Sequence, residues 1–564
     1  MAKNVAIGIQ SFEKLREGNY FYVDKTAFIR EWWGSGDDVT LITRPRRFGK
    51  TMNMSMLETF FSVDYADKGD LFEGLSIWED ENYRAIQGTY PVIFLSFANV
   101  KEYHLKSTIY KICQLLTMQY EKNAFLLESE HLSVAEKKYY ERMREGIQEE
   151  DASLSMYRLA DFLYRYYGKK VIILLDEYDT PMQEAYVDGY WDDLVAFTRS
   201  LFNSTFKTNP YLERGIMTGI TRVSKESIFS DLNNPKVVTT TSDEYAISFG
   251  FTEKEVFAAL EEYGYSDEKE AVKQWYDGFT FGTYTDIYNP WSILNFLDTG
   301  KLAPYWANTS SNSLIGKLVR EGNRRVKMEF ENLLEGKSIR CPIDEQIVYN
   351  QLNKRQGAIW SLLLASGYLK VIDWEEVNEV VGGVFPKYEL ALTNHEVKWM
   401  FEHMVHDWFE ESDGAYNDFV EALLIGNLKA MNEYMNDVAL STFSYFDTGK
   451  NPSRQEPERF YHGFVLGLIV DLQDKYVVTS NRESGFGRYD VMIEPKDVKN
   501  DTAFILEFKV RDSDEEETLS DTVAAAHAQI EEKQYEAAMI AKGIPQEHIR
   551  KYGFAFEGKK VLIG

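Results

Sequence analysis

The sequence predicts an α/β protein of more than one domain: a parallel sheet flanked by helices, then a mainly helical connector, then a smaller C-terminal α/β domain. Three observations predict it. The runs VTLIT (39–43), PVIFLSF (91–97) and VIILLDEY (171–178) are apolar without alternation, as in strands buried on both faces. The segments between them have helical periodicity, for example LKSTIYKICQLLTMQY (105–120), and strands alternating with helices build a parallel sheet. Near residue 455 the texture changes. A helix (ERFYHGFVLGLIVDL) precedes strand-like KYVVTSN, GRYDVMIEP and TAFILEFKV, then a helix AAAHAQIEEKQYEAAMIAKG, in the order α-β-β-β-α. Between these parts FTEKEVFAALEEYGY, WSILNFLD and AIWSLLLASGYL read as helices. The expected domains are therefore 1–250, 251–440 and 441–564.

With 564 residues the chain exceeds one ordinary core. Its apolar runs fall short of the roughly 20 residues a membrane helix needs, and MAKNVAIGIQSFEK has no apolar h-region. Cys113 and Cys341 are the only cysteines, which argues against a disulfide framework or a thiolate zinc site and for a reducing, cytoplasmic setting. The net charge of −28 argues against a protein that coats nucleic acid. It does not exclude a local basic groove, because charges more than about 8 Å apart are largely screened.

LITRPRRFGKTMNMSML places Gly49-Lys50-Thr51 where a strand turns into a helix. A helix N-terminus offers unpaired N–H groups and a positive dipole end to phosphate. In the pattern G-x-x-x-x-G-K-[ST], Lys50 would reach the β/γ-phosphates and Thr51 would bind Mg²⁺; Arg44 stands where the first glycine is expected. Asp176 and Glu177 end an apolar strand, expected beside the phosphate-loop strand. There Asp176 would hold Mg²⁺ and Glu177 would polarise the attacking water. GIMTGITRVS (215–224) supplies Thr218 and Arg222 as sensors of the γ-phosphate.

RPRRFGKT, the upstream GIQSFEKLREGNYFYVDKT, LLDEYDTP and TGITRVSKESIFSDLNN together resemble the AAA-ATPase-like family, a group of P-loop NTPases. WYDGFTFG, IYNPWSIL and YWANTSSN resemble its downstream region, so the resemblance covers roughly residues 5–440. It implies a P-loop NTPase parallel sheet and ATP with Mg²⁺ as ligands. The family carries an arginine-rich loop in place of the first glycine. Arg44, Arg46 and Arg47 are accordingly candidate phosphate clamps, or a local nucleic-acid contact. Tyr22, Asp24, Lys25 and Thr26 form a recurrent YVDKT stretch expected near the nucleotide base.

At the other end Asp490 lies in GRYDVMI, and Glu507-Phe508-Lys509 lies in AFILEFKV. Glu507 and Lys509 are two apart on a strand and share one face, with Phe508 turned to the core. A polar pair on an apolar strand is costly unless it binds something. Two carboxylates from adjacent strands make a hard-oxygen Mg²⁺ site, with Mn²⁺ as an alternative. This D…E-x-K arrangement resembles the PD-(D/E)XK nuclease superfamily over 455–560, with Tyr489 where the strict pattern has proline. The resemblance implies Glu458 as an additional acidic ligand and Gln529 with Lys533, i and i+4 on the following helix, as supports, with Tyr535 nearby. The run DSDEEETLSD (512–521) reads as a solvated loop. His403 and His406 lack partners at ligand spacing.

The expected function is an ATP-binding or ATP-hydrolysing protein whose nuclease module cleaves DNA, or less readily RNA, with defence against mobile elements as a setting. The alternative is a nucleotide-controlled scaffold without nuclease turnover. Self-assembly into a homo-oligomer is left open.

Overall fold

Five short strands lie side by side in the first part of the chain: β1 (Val39–Thr43), β2 (Val92–Ser96), β3 (Val171–Asp176), β4 (Leu212–Gly219) and β5 (Lys236–Val238). Their order is β2-β3-β4-β1-β5, and every pairing is parallel. The three apolar runs read from the sequence are β1, β2 and β3, and β1 and β3 are buried along their whole length. The predicted helix at 105–120 is Leu105–Lys122. One expectation fails. The strand carrying Asp176 is not beside the phosphate-loop strand, because β4 lies between them. Residues 215–219 of β4 are all buried, so this strand takes a central place that periodicity alone cannot assign.

The computed structural model describes residues 2–222, 234–307, 315–316, 318–319, 324–344, 357–379, 383–410, 416–442, 475–480, 483–484, 487–488, 490–512, 516–557 and 560–564. The chain divides into two units, 1–318 with 338–397, and 319–337 with 398–564. The stretch expected as one connector over 251–440 is thus shared between them. Its helices include Glu253–Glu262, Pro290–Thr299 and Ala358–Ala365. It also holds two antiparallel sheets: β6 (Phe251–Thr252), β7 (Phe279–Phe281) and β8 (Tyr284–Tyr288), then β9 (Ile339–Pro342), β10 (Leu369–Glu379) and β11 (Gly383–Leu392).

The second unit is built on a mixed sheet. Its strands are β12 (Tyr476–Ser480), β15 (Val491–Pro495), β16 (Ala503–Val510), β17 (Ile549–Glu557) and β18 (Lys560–Ile563), in that order. The small pair β13 (Glu483–Ser484) and β14 (Gly487–Arg488) stands apart from it. The strands read as KYVVTSN, GRYDVMIEP and TAFILEFKV are β12, β15 and β16, with Asp490 just ahead of β15. Helix Leu519–Lys533 crosses from β16 to β17, which pair in parallel. β17 and β18 extend the predicted order by two strands. Side-chain alternation along β16 divides the core. Phe504, Leu506 and Phe508 pack with Phe419, Leu423 and Met431 on one face. Ala503 and Ile505 pack with Ile530, Tyr535 and Met539 on the other.

Candidate functional site

β1 runs into a turn that ends at Gly49, whose φ of 79° suits glycine because it carries no Cβ. Gly49 caps helix Lys50–Phe61, so the free N–H groups of that helix start at the predicted place. The Thr51 hydroxyl donates to Asp176 Oδ2 at 2.7 Å, and Thr218 donates to Asp176 Oδ1 at 2.5 Å. The structure therefore gathers Gly49, Lys50, Thr51, Asp176 and Thr218 at the C-terminal edge of the sheet. The Thr51 and Asp176 oxygens are hard donors that fit a magnesium ion. Lys50 is buried, and its ammonium donates to the carbonyls of Arg44 (3.0 Å) and Pro45 (2.9 Å). Burial lowers its pKa, opposed by Glu177, Asp176 and Asp179. Burial raises the Asp176 pKa, opposed by the two threonine hydroxyls.

Glu177 has φ 51°, a region that costs a non-glycine residue on the order of 1–2 kcal/mol. Its carboxylate accepts from Thr180 Oγ1 at 3.2 Å. The three arginines separate. Arg46 reaches Gln183 Oε1 at 3.3 Å, and exposed Arg47 lies 4.3 Å over the Trp291 ring. Arg44 is not a phosphate clamp. It is fully buried and donates to the carbonyls of Thr43 (2.9 Å), Thr239 (2.6 Å) and Glu244 (3.1 Å), with Phe281 4.4 Å from the guanidinium. Burial brings its pKa down to about 9. Side-chain donors here staple the loop to residues about 200 positions away. The YVDKT stretch is also a staple. Lys25 pairs with Glu255 at 2.7 Å, and Asp24 accepts from Thr26 and Ser76.

Sequence reasoning missed Tyr178 and Asp179. The Tyr178 hydroxyl donates to Thr221 O at 2.8 Å. Asp179 Oδ2 accepts from Ile220 N (3.0 Å), Thr221 N (2.8 Å), Thr221 Oγ1 (2.9 Å) and Gln183 Nε2 (3.1 Å). Both residues are buried. The turn after β3 is thereby latched to the residues after β4, next to Arg222. The signal is present in LLDEYDTP, a third carboxylate two residues after the expected pair.

In the second unit, β15 pairs antiparallel with β16, Val491 opposite Leu506, so the register puts Asp490 opposite Glu507. Directly opposed residues hold their Cβ atoms about 4.5–5.5 Å apart. Asp490 Oδ2 accepts the Phe508 N–H at 2.9 Å, extending the ladder with a side chain. Glu507 is 1% exposed, and Lys509 shares its face. Gln529 joins them. Its amide nitrogen donates to Glu507 Oε1, and to the Tyr535 hydroxyl at 3.2 Å; its oxygen accepts from the Lys509 ammonium at 2.8 Å. Burial pushes the Tyr535 phenol up to about 12, with Glu507 and Asp490 adding to the rise. Lys533 does not join the cluster; it pairs with Glu532 at 3.0 Å. Helix Leu519–Lys533 stops there, and Gln534 at φ 51° turns Tyr535 inward, so the single predicted helix is two. Glu458 lies outside the described residues. The paired carboxylate oxygens fit a hard divalent cation. His403 Nδ1 lies 2.9 Å from Trp399 O, and its ring stacks on the Trp399 ring.

Two family models match this chain: "Predicted AAA-ATPase" over residues 6–229 and "PD-(D/E)XK nuclease superfamily" over 456–564. The chain joins an AAA-ATPase-like domain to a PD-(D/E)XK nuclease superfamily domain. The first match spans the parallel-sheet strands through β4 and the phosphate loop; the second spans the Asp490–Glu507–Lys509 cluster. A relative from Azotobacter chroococcum mcd 1, described as an uncharacterized protein in the vnfD 5′ region, is 25% identical over 525 residues. The match covers 90% of this chain and 89% of that one. Among the described residues no helix is long and apolar enough to cross a membrane.

Proposed function

We propose that the AAA-ATPase-like domain binds and hydrolyses ATP with Mg²⁺, and that the nuclease-superfamily domain cleaves nucleic-acid phosphodiesters, DNA ahead of RNA, with Mg²⁺ or Mn²⁺. The observation that carries the reading is the opposition of Asp490 and Glu507 across neighbouring strands, with Lys509 on the same face. Asp490 and Glu507 would hold the cation, which when bound lowers the pKa of a water and offsets charge on the phosphate. Lys509 neutralises charge that develops on the phosphate oxygens. Gln529 fixes Glu507 and Lys509 relative to each other. At the other site Lys50 and the N-terminus of helix Lys50–Phe61 receive phosphate oxygens, with Arg46 and Arg47 beside them. Thr51 and Asp176 would hold Mg²⁺, and Glu177 orients the attacking water. Thr218 and Arg222 report the γ-phosphate. The pairing of modules fits defence against mobile elements in the cytoplasm.

Plasmid incubated with purified protein and Mg²⁺ or Mn²⁺, with and without ATP, tests this. Wild type should cut, and Lys509→Ala should cut at least ~10²-fold more slowly while staying folded. Equal cutting by both would assign the activity to a contaminant and leave a nucleotide-controlled scaffold. Phosphate release should vanish in Lys50→Ala and survive Glu507→Ala; release that survives Lys50→Ala would remove the ATPase assignment.

A further inference from the structure

The backbone carbonyl of Arg46, at the crown of the phosphate loop, accepts two hydrogen bonds from residues far along the chain. Trp306 Nε1 donates at 3.0 Å and Asn289 Nδ2 at 3.3 Å. Both residues are buried, Trp306 at 2% exposure between Phe279 and Tyr368. Trp306 is held in turn by Glu396. The backbone N–H groups of Trp306 and Ala307 donate to Glu396 Oε1 at 2.6 and 3.3 Å, and Ser292 Oγ donates to Oε2 at 2.9 Å. Ser292 lies in helix Pro290–Thr299, which Asn289 caps through Trp291 N at 2.9 Å. The contacts therefore close a ring: Arg46 carbonyl, Trp306, Glu396, Ser292, the helix and Asn289, and back to Arg46.

The ring is stiff for a physical reason. Glu396 is fully buried, and a buried carboxylate that loses its donors leaves an expensive unsatisfied group. Separating its members is therefore costly. Glu396 also sits in the first turn of helix His395–Glu410. That helix starts in the first unit, and from residue 398 its residues count with the second. Lys50, at the other end of the loop, donates to the carbonyls of Arg44 and Pro45. A phosphate that draws the ammonium away frees those carbonyls directly beside Arg46.

We propose that Trp306 and Glu396 are positioning residues that hold the phosphate loop at Arg46 and tie nucleotide occupancy to the first turn of helix His395–Glu410. The proposal rests on the nucleotide reading above and names the route by which ATP reaches the segment leading into the nuclease-superfamily domain. Coupling of this kind needs a measured response as well as a chain of contacts.

Hydrogen exchange on the full chain, with peptides covering 395–400, supplies it, with binding of a fluorescent ATP analogue measured in parallel. In wild type, saturating ATP with Mg²⁺ should slow exchange in those peptides roughly threefold or more. Trp306→Phe keeps an aromatic ring and removes the indole donor. It should need about tenfold more ATP for half-saturation and lose the exchange response even when saturated. Glu396→Gln retains an amide oxygen for the two backbone N–H groups and should keep the response. A wild-type response in saturated Trp306→Phe overturns the proposal, as does ATP-bound wild type with unchanged exchange. Failure of wild type to bind the analogue overturns the nucleotide reading itself, and this proposal with it; the binding arm tells the cases apart.

Discussion

Asp179 accepts four hydrogen bonds on one oxygen and is 1% exposed. Through Gln183 it leads to Arg46 in the phosphate loop, and through Thr221 to the residues beside Arg222. Asp179→Ala removes the single oxygen that accepts from both sides of the latch. We expect the turnover number for phosphate release to fall about tenfold or more, while the KM for ATP stays within about threefold, because the latch orients groups and does not bind phosphate. A KM that rises in step with the loss would refute that role. Arg44 gives the opposite lesson. Beside Gly49-Lys50-Thr51 its charge reads as a phosphate ligand, yet it is spent on carbonyls as distant as Thr239 and Glu244. Nothing local to RPRRFGKT announces those partners.

Gly553, on β17 opposite Glu507, sets how closely helix Leu519–Lys533 approaches the sheet. A Cβ there would lie 2.9 Å from Ala526 Cβ and 3.0 Å from the Val523 carbonyl. Gly553→Ala should push the helix outward, cost roughly 1–3 kcal/mol as overpacking does, and lift Gln529 from Glu507 and Lys509. Denaturant melts would show the first effect. Titration of Mn²⁺ against the folded variant would show the second as about 10–100-fold weaker binding, the usual range for lost support behind a metal ligand. Unchanged metal affinity would mean that Gln529 does not position Glu507. The strand periodicity of two made the shared face of Glu507 and Lys509 legible from AFILEFKV. The i, i+4 rule was less informative, since it placed Gln529 and Lys533 together and only Gln529 turns to the cluster. Where a helix ends relative to the sheet depends on packing such as that at Gly553, which no helix-face rule contains.

Across the first unit, the buried ring through Glu396 carries a pH signature. Burial raises the Glu396 pKa from its ordinary 4.5 to about 7, against the lowering effect of its Ser292, Trp306 and Ala307 partners. The phenol of Tyr276 also feels its charge. Between about 4.5 and about 7 the folded state keeps a proton that the unfolded state has released. The contribution of Glu396 to stability is therefore most favourable below that window and is lost as pH rises through it, at a slope of up to about 1.4 kcal/mol per pH unit. Other carboxylates titrate as well, so the measurement is a difference. Denaturant unfolding at pH 5 and pH 7.5 should show a larger loss for wild type than for Glu396→Gln. Parallel losses would place the titration elsewhere.

By itself the sequence determined the elements and the candidate chemistry. It showed three unalternating strands, a helix opening at Gly49-Lys50-Thr51, carboxylates ending β3, and an Asp490, Glu507 and Lys509 set on paired strands. These are local matters of backbone period, glycine freedom and hydrophobic run, so a short window contains them. Only the tertiary structure decided that β4 separates β1 from β3, that Arg44 is a buried staple, that Asp179 latches two turns, and that Glu396 reaches the phosphate loop through Trp306. Each depends on groups tens to hundreds of residues apart, whose meeting is set by which buried polar atoms must find partners once the strands have packed.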